Sequence, residues 1–146
     1  SLPIGGGRDF PASDGERQAW VDGVARRTGL GTERVGALLS RYGTTAAGFA
    51  AAEAQQGDAR LPDSSDYSLA EIGHIARHEH VRHLSDIVMR RTTLAVCGTL
   101  TMRDLEAVAD IAAAALGWTD ATRASEVADL STRLTRDNQM RLSATG

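Results

Sequence analysis

The residues best able to do chemistry crowd into Ala76–His83, A-R-H-E-H-V-R-H, which holds three of the four histidines of the chain. A glutamate beside one histidine, with a second histidine a turn later, is the H-E-x-x-H arrangement that holds a catalytic zinc ion. Here Arg82 stands where the second histidine belongs and His83 comes one residue late. A shift of one residue rotates a helical side chain by about 100°, so that reading fails. Glu71, His74 and His78 do share one helical face, and Glu71-x-x-His74 has the spacing used in di-metal carboxylate bundles. Such centres need two copies of the motif and two further glutamates. One copy is present, and the expectation is a polar helix face with no metal ligand.

The same segment predicts an ion pair. At about 100° per residue, Leu69, Ile72, Ile75 and Ala76 form an apolar stripe into which Glu79 falls. In the following helix Leu84, Ile87, Val88, Leu94 and Ala95 define the apolar side, and Arg91 lies near its middle. A buried charge needs a partner, so Glu79 and Arg91 are expected to pair as a buried structural tie. Asp86 and Arg90, at i and i+4, would make a weaker, more exposed pair. Cys97 reads as a small apolar filler, and Trp20 and Trp118 as core or domain-contact anchors.

The elements that position these residues are helices. Residues 1–12, S-L-P-I-G-G-G-R-D-F-P-A, read as an extended lead-in, with no strand or G-x-G-x-x-G spacing for a phosphate loop. Ser13 and Glu16 fit a capping box opening a helix that stops at Gly29. Thr32 is expected to cap a second helix that Gly43 ends, and an alanine-rich third runs from about Thr45 to Gln56. The polar stretch 57–67 is the clearest internal break. Ser68 and Glu71 form another capping box, opening a helix to Glu79 or His80. Further helices are expected over Leu84–Val96, from Thr101 to Gly117, and from Thr119 or Asp120 onward. No segment alternates with a strand's period of two. The expected fold is all-α: a compact orthogonal bundle of about six to seven helices without significant sheet, residues 13–146 forming one domain.

Composition narrows the function. In 146 residues, 16 basic against 19 acidic side chains give a net charge of −3, without the basic excess of a nucleic-acid binder. No apolar run approaches the roughly 20 residues of a membrane-spanning helix, and one cysteine rules out an internal disulfide. Twenty-four alanines suit closely packed helices. Every basic residue is arginine and none is lysine. The start at Ser1 rather than Met suggests a piece of a longer protein.

R-H-E, an arginine at Arg82 and a helix ending S-D-I-V-M-R-R-T together resemble the C-terminal domain of FAD-dependent glycerol-3-phosphate dehydrogenases and alpha-glycerophosphate oxidases. The residues that carry the resemblance are Arg77, His78, Glu79, Arg82, Asp86, Arg90, Arg91 and Thr92. Leu2-Pro3, Arg41-Tyr42-Gly43 and Leu116-Gly117-Trp118 agree with it in order. His83 departs from the pattern, standing where the family has threonine, and so do His80 and Val81. The resemblance implies a helical cap packed on an N-terminal FAD-binding domain of the same chain, at the cytosolic face of the membrane, hence a cytoplasmic location. It implies that the parent enzyme oxidises glycerol 3-phosphate to dihydroxyacetone phosphate and passes electrons to quinone. The fragment itself would hold no FAD, touch neither nucleic acid nor membrane, and be inactive alone; no catalytic or cofactor-binding residue is carried over, and a homo-oligomer stays open. The alternatives are a stand-alone helical interaction module and a metal-dependent hydrolase using Glu71, His74 and His78.

Overall fold

In a computed structural model of the chain, residues 13–95 and 100–137 are described. The expected lead-in 1–12 and Cys97 lie outside the described residues. The chain divides after Gly57 into two compact units, residues 1–57 and 58–146. The division falls where the polar stretch 57–67 begins.

The first unit contains α1 (Asp14–Thr28), α2 (Thr32–Tyr42) and α3 (Ala46–Gln56), the last two joined by a 3-10 turn, Gly43–Thr45. Ser13 caps α1 by accepting the Glu16 N–H, and Gly29, at φ 80°, ends it in the left-handed conformation that glycine adopts without strain. The three helices pack on one another around Val21, Val24, Val35, Leu38, Leu39, Phe49 and Ala50. Short alanines on α3 allow the close approach.

In the second unit α4 (Leu69–His78) and α6 (Asp120–Arg136) each pack on α5 (Met102–Leu116), and a π-helical segment, Asp86–Arg91, packs on α4. Reciprocal capping boxes open α4 (Ser68 with Glu71) and α5 (Thr101 with Asp104). Ile72, Ile75, Leu84, Ile87, Val88, Leu105, Val108 and Leu134 are nearly inaccessible and form the core. Among the described residues there is no strand; an isolated antiparallel bridge joins Arg60 and Ser68. The all-α expectation holds.

The polar stretch is an ordered loop. Leu61 N–H donates to the Tyr67 carbonyl at 3.0 Å, and Leu69 N–H to that of Ala59 at 2.8 Å. Buried Asp104 accepts from the Asp63 N–H (2.8 Å) and Ser64 Oγ (2.6 Å), while Asp63 receives Thr101 Oγ1 and the Arg103 guanidinium. The loop is thereby fastened to the N-terminus of α5, where negative charge is also favoured by the helix dipole.

Two expected elements differ. α4 stops at His78, because Glu79 turns extended (φ −103°, ψ 159°) and its carbonyl accepts the Val81 N–H in a tight turn. The helix expected over Leu84–Val96 reaches only Arg91. There Thr92 is extended, and its hydroxyl donates to the carbonyls of Ile87 (2.9 Å) and Val88 (3.2 Å), taking up acceptors at the helix end.

Candidate functional site

The eight residues that carry the resemblance occupy the end of α4, the turn after it, the π-helical segment and the residue that follows it, Thr92. Two carboxylates fix that turn. Asp86 Oδ2 accepts the N–H groups of Arg82 (2.8 Å) and His83 (2.9 Å). Glu126, on α6, accepts the Leu84 N–H at 2.8 Å and bonds His83 Nδ1 at 2.9 Å. Val81, in the same turn, is buried. The carboxylate of Asp86 satisfies helix-start donors as the second half of a capping box does. The first half is missing, because His83, standing where the family has threonine, sends its ring to Glu126. A shallow cleft lined by Ser85, Asp129, Leu130 and Arg133 adjoins that contact.

Glu79 and Arg91 meet, with Oε1 and Nη1 3.3 Å apart, but the pair is not buried: the side chains are 38% and 41% exposed. A helical wheel places both side chains inside, and both ends of the pair depart from it. Glu79 lies past the end of α4, and a π-helix winds more slowly than the 100° per residue assumed for Arg91. A half-exposed pair of this kind contributes about 0–1 kcal/mol. The expected Asp86–Arg90 pair survives only as a charge interaction that favours ionised Asp86. Burial pushes the Asp86 carboxyl up, but the two backbone donors and Arg90 outweigh it and hold it below its ordinary value.

Glu71, His74 and His78 do not converge. Glu71 is fully buried and its Oε1 accepts the Ser68 N–H at 2.9 Å, whereas the His74 and His78 rings lie side by side with centroids 4.4 Å apart. Among the described residues no three His, Cys, Asp or Glu side chains group as metal ligands would. Burial first, then His78 and Arg77, lower the His74 pKa. The hydrogen bond to Glu126 raises that of exposed His83.

Trp20 and Trp118 are each half-buried rather than core. The buried ion pair sits elsewhere, in the first unit. Arg34 donates Nε to Glu53 Oε2 (3.0 Å) and Nη2 to Oε1 (2.9 Å), with the Glu53 side chain 1% exposed. Its signal was an acid in an alanine-rich helix beside Phe49, Ala50 and Ala52. The Asp63–Asp104 fastening left no spacing signal beyond the capping pattern at Thr101, since its partners are distant in sequence.

Arg77, His78, Arg82, Arg90 and Arg91 are exposed. Among the described residues the guanidinium groups of Arg77, Arg82 and Arg90 make no hydrogen bond and no ion pair within 4.0 Å. Arg77 folds back against Gly73, whose missing side chain leaves room: a Cβ there would meet the guanidinium at 3.2 Å.

The second unit is helical and exposes Arg77, Arg82, Arg90 and Arg91 around a turn that the carboxylates of Asp86 and Glu126 hold. A family model described as the C-terminal domain of alpha-glycerophosphate oxidase matches residues 1–123, and the chain belongs to that family. The match spans both units and ends within α6. No curated protein and no solved structure matched the chain. A C-terminal domain of a larger oxidase implies an N-terminal catalytic portion as its partner. Among the described residues there is no strand running into a glycine turn and helix, the arrangement that cradles a dinucleotide pyrophosphate.

Proposed function

We propose that this chain is the helical cap of a membrane-associated, FAD-dependent enzyme that oxidises glycerol 3-phosphate to dihydroxyacetone phosphate and passes the electrons to quinone. The cap packs on the N-terminal flavin domain at the cytosolic side and supports it. FAD and substrate are held by that other domain, and no step of the oxidation is assigned to a residue of this chain. The observation that carries this reading is the family match over residues 1–123, which takes in the first helical unit and most of the second. The ordered ties within each unit, Arg34–Glu53 in the first and Asp63–Asp104 in the second, suit a supporting domain that must hold its surface in one shape.

The test has two parts. The open reading frame upstream of Ser1 should encode a strand, a G-x-G-x-x-G turn and a helix. The chain alone should neither retain FAD through gel filtration nor oxidise glycerol 3-phosphate. Stoichiometric flavin on the isolated chain, or turnover by it, would overturn the proposal.

A further inference from the structure

We infer that the segment 77–90, which exposes Arg77, Arg82 and Arg90, is the surface by which this domain docks on the N-terminal catalytic portion of its parent, and that it does so by receiving carboxylates from that portion. The inference rests on the cap reading above and adds to it the segment and the chemistry of the contact.

Three observations carry it. The first is free valence. Elsewhere in the second unit Arg60, Arg103, Arg123 and Arg136 all bond to groups of the unit itself. Three arginines with free guanidinium groups lie within the one short segment 77–90, a fourth, Arg133, lying on α6. The acids of the segment are occupied, Asp86 by two backbone N–H groups and Glu79 by Arg91. What the segment offers outward is therefore positive, although residues 58–146 carry ten arginines against thirteen acids.

The second is stiffness. Carboxylates from the segment itself and from α6 clamp the turn, and Thr92 closes the π-helical segment. π-helical turns are rare and occur often at functional sites. A surface ordered before contact loses less entropy on binding. The third is chemistry. A guanidinium takes a carboxylate bidentately, in a fixed plane. A lipid surface is the poorer fit, because Val81, Leu84, Ile87 and Val88 of this segment are buried and leave little apolar surface for the acyl boundary.

Because the chain contains no lysine, a single Arg→Lys change makes the only side-chain amine in it. Carbodiimide joins such an amine directly to a touching carboxylate, without a spacer. The variants R77K, R82K and R90K would be made in the full-length enzyme, with R26K on α1 as an exposed reference. R103K serves as the reaction control, since Arg103 lies 2.7 Å from Asp63. Peptide mapping is expected to join the three segment lysines to Asp or Glu outside these 146 residues, several-fold more than R26K, while R103K links to Asp63. Segment lysines that link only within the chain would overturn the inference. So would links between two copies, recognised by mixing ¹⁴N- and ¹⁵N-labelled protein. Co-elution of the two parts after proteolytic cleavage between them reports the packing itself. Co-elution without segment links refutes the docking segment and keeps the cap reading; separation refutes both.

Discussion

Replacing Arg34 by alanine should damage the first unit far more than replacing Arg91 damages the second. Arg34 and Glu53 are 2.9 Å apart and the Glu53 side chain is 1% exposed. At an effective dielectric constant of about 20, charges at that separation attract by roughly 6 kcal/mol, most of which offsets the cost of removing both from water. Deleting one partner leaves that cost with less to offset it, and the expected loss is about 3–5 kcal/mol. A unit of this size has little stability to lose, so R34A should leave it largely unfolded before denaturant is added. Trp20, on α1, reports on this unit, and a Trp118→Phe background removes the other indole. Urea titrations followed by Trp20 fluorescence would compare wild type, R34A and the double variant R34M/E53L, in which neither charge of the pair remains and most of the stability should return. An R34A midpoint within about 0.5 kcal/mol of wild type, at unchanged slope, would refute the reasoning.

Four further outcomes are expected. Arg91→Ala should cost no more than about 1 kcal/mol by urea denaturation, because its pair with Glu79 is half-exposed. Asp104→Asn should cost roughly 1.5–3 kcal/mol, since a fully buried carboxylate that accepts from Asp63 and Ser64 becomes a neutral amide with donors facing donors. Gly73→Ala should stabilise by up to about 1 kcal/mol in thermal unfolding: helix propensity favours alanine, and only the movable tip of Arg77 must give way. By NMR titration His83 should titrate above 6.5 and His74 below it, and E126Q should bring only His83 back toward 6.5. The signs for stability are opposite. The His83 contribution is complete below pH 6.5 and fades as pH rises through its raised folded value. That of His74 is complete above 6.5 and is lost as pH falls through its lowered one.

The helices were legible because their signals are local. Ser13, Ser68, Thr101 and Thr119 cap where the spacing put caps, while α2 is preceded by Gly31 and Thr32 is its first helical residue rather than its cap; Gly29 and Gly117 end helices in the left-handed region. The apolar stripes were legible too: Ile72, Ile75, Leu84, Ile87 and Val88 are all buried. What failed needed knowledge of where a helix stops or how it winds. Glu79 falls just beyond α4, and Arg91 closes a π-helical rather than an α-helical segment, so a wheel that assumes one continuous period placed both too deep. Glu79 and Arg91 meet at 3.3 Å, half-exposed rather than buried. Arg34 with Glu53 and Asp63 with Asp104 were missed because each joins elements distant in sequence. The exposed arginines were legible as a motif, but their freedom from internal partners depends on the fold, which gives Asp86 to two backbone N–H groups and Glu79 to Arg91.

Amide hydrogen exchange of the full-length enzyme, set against the same 146 residues alone, tests the docked-cap account most directly. Slower exchange in the full enzyme, concentrated on residues 77–92 and including the N–H groups of Arg82 and His83, is the result the account predicts. Superimposable exchange across the helical chain in the two samples would contradict it.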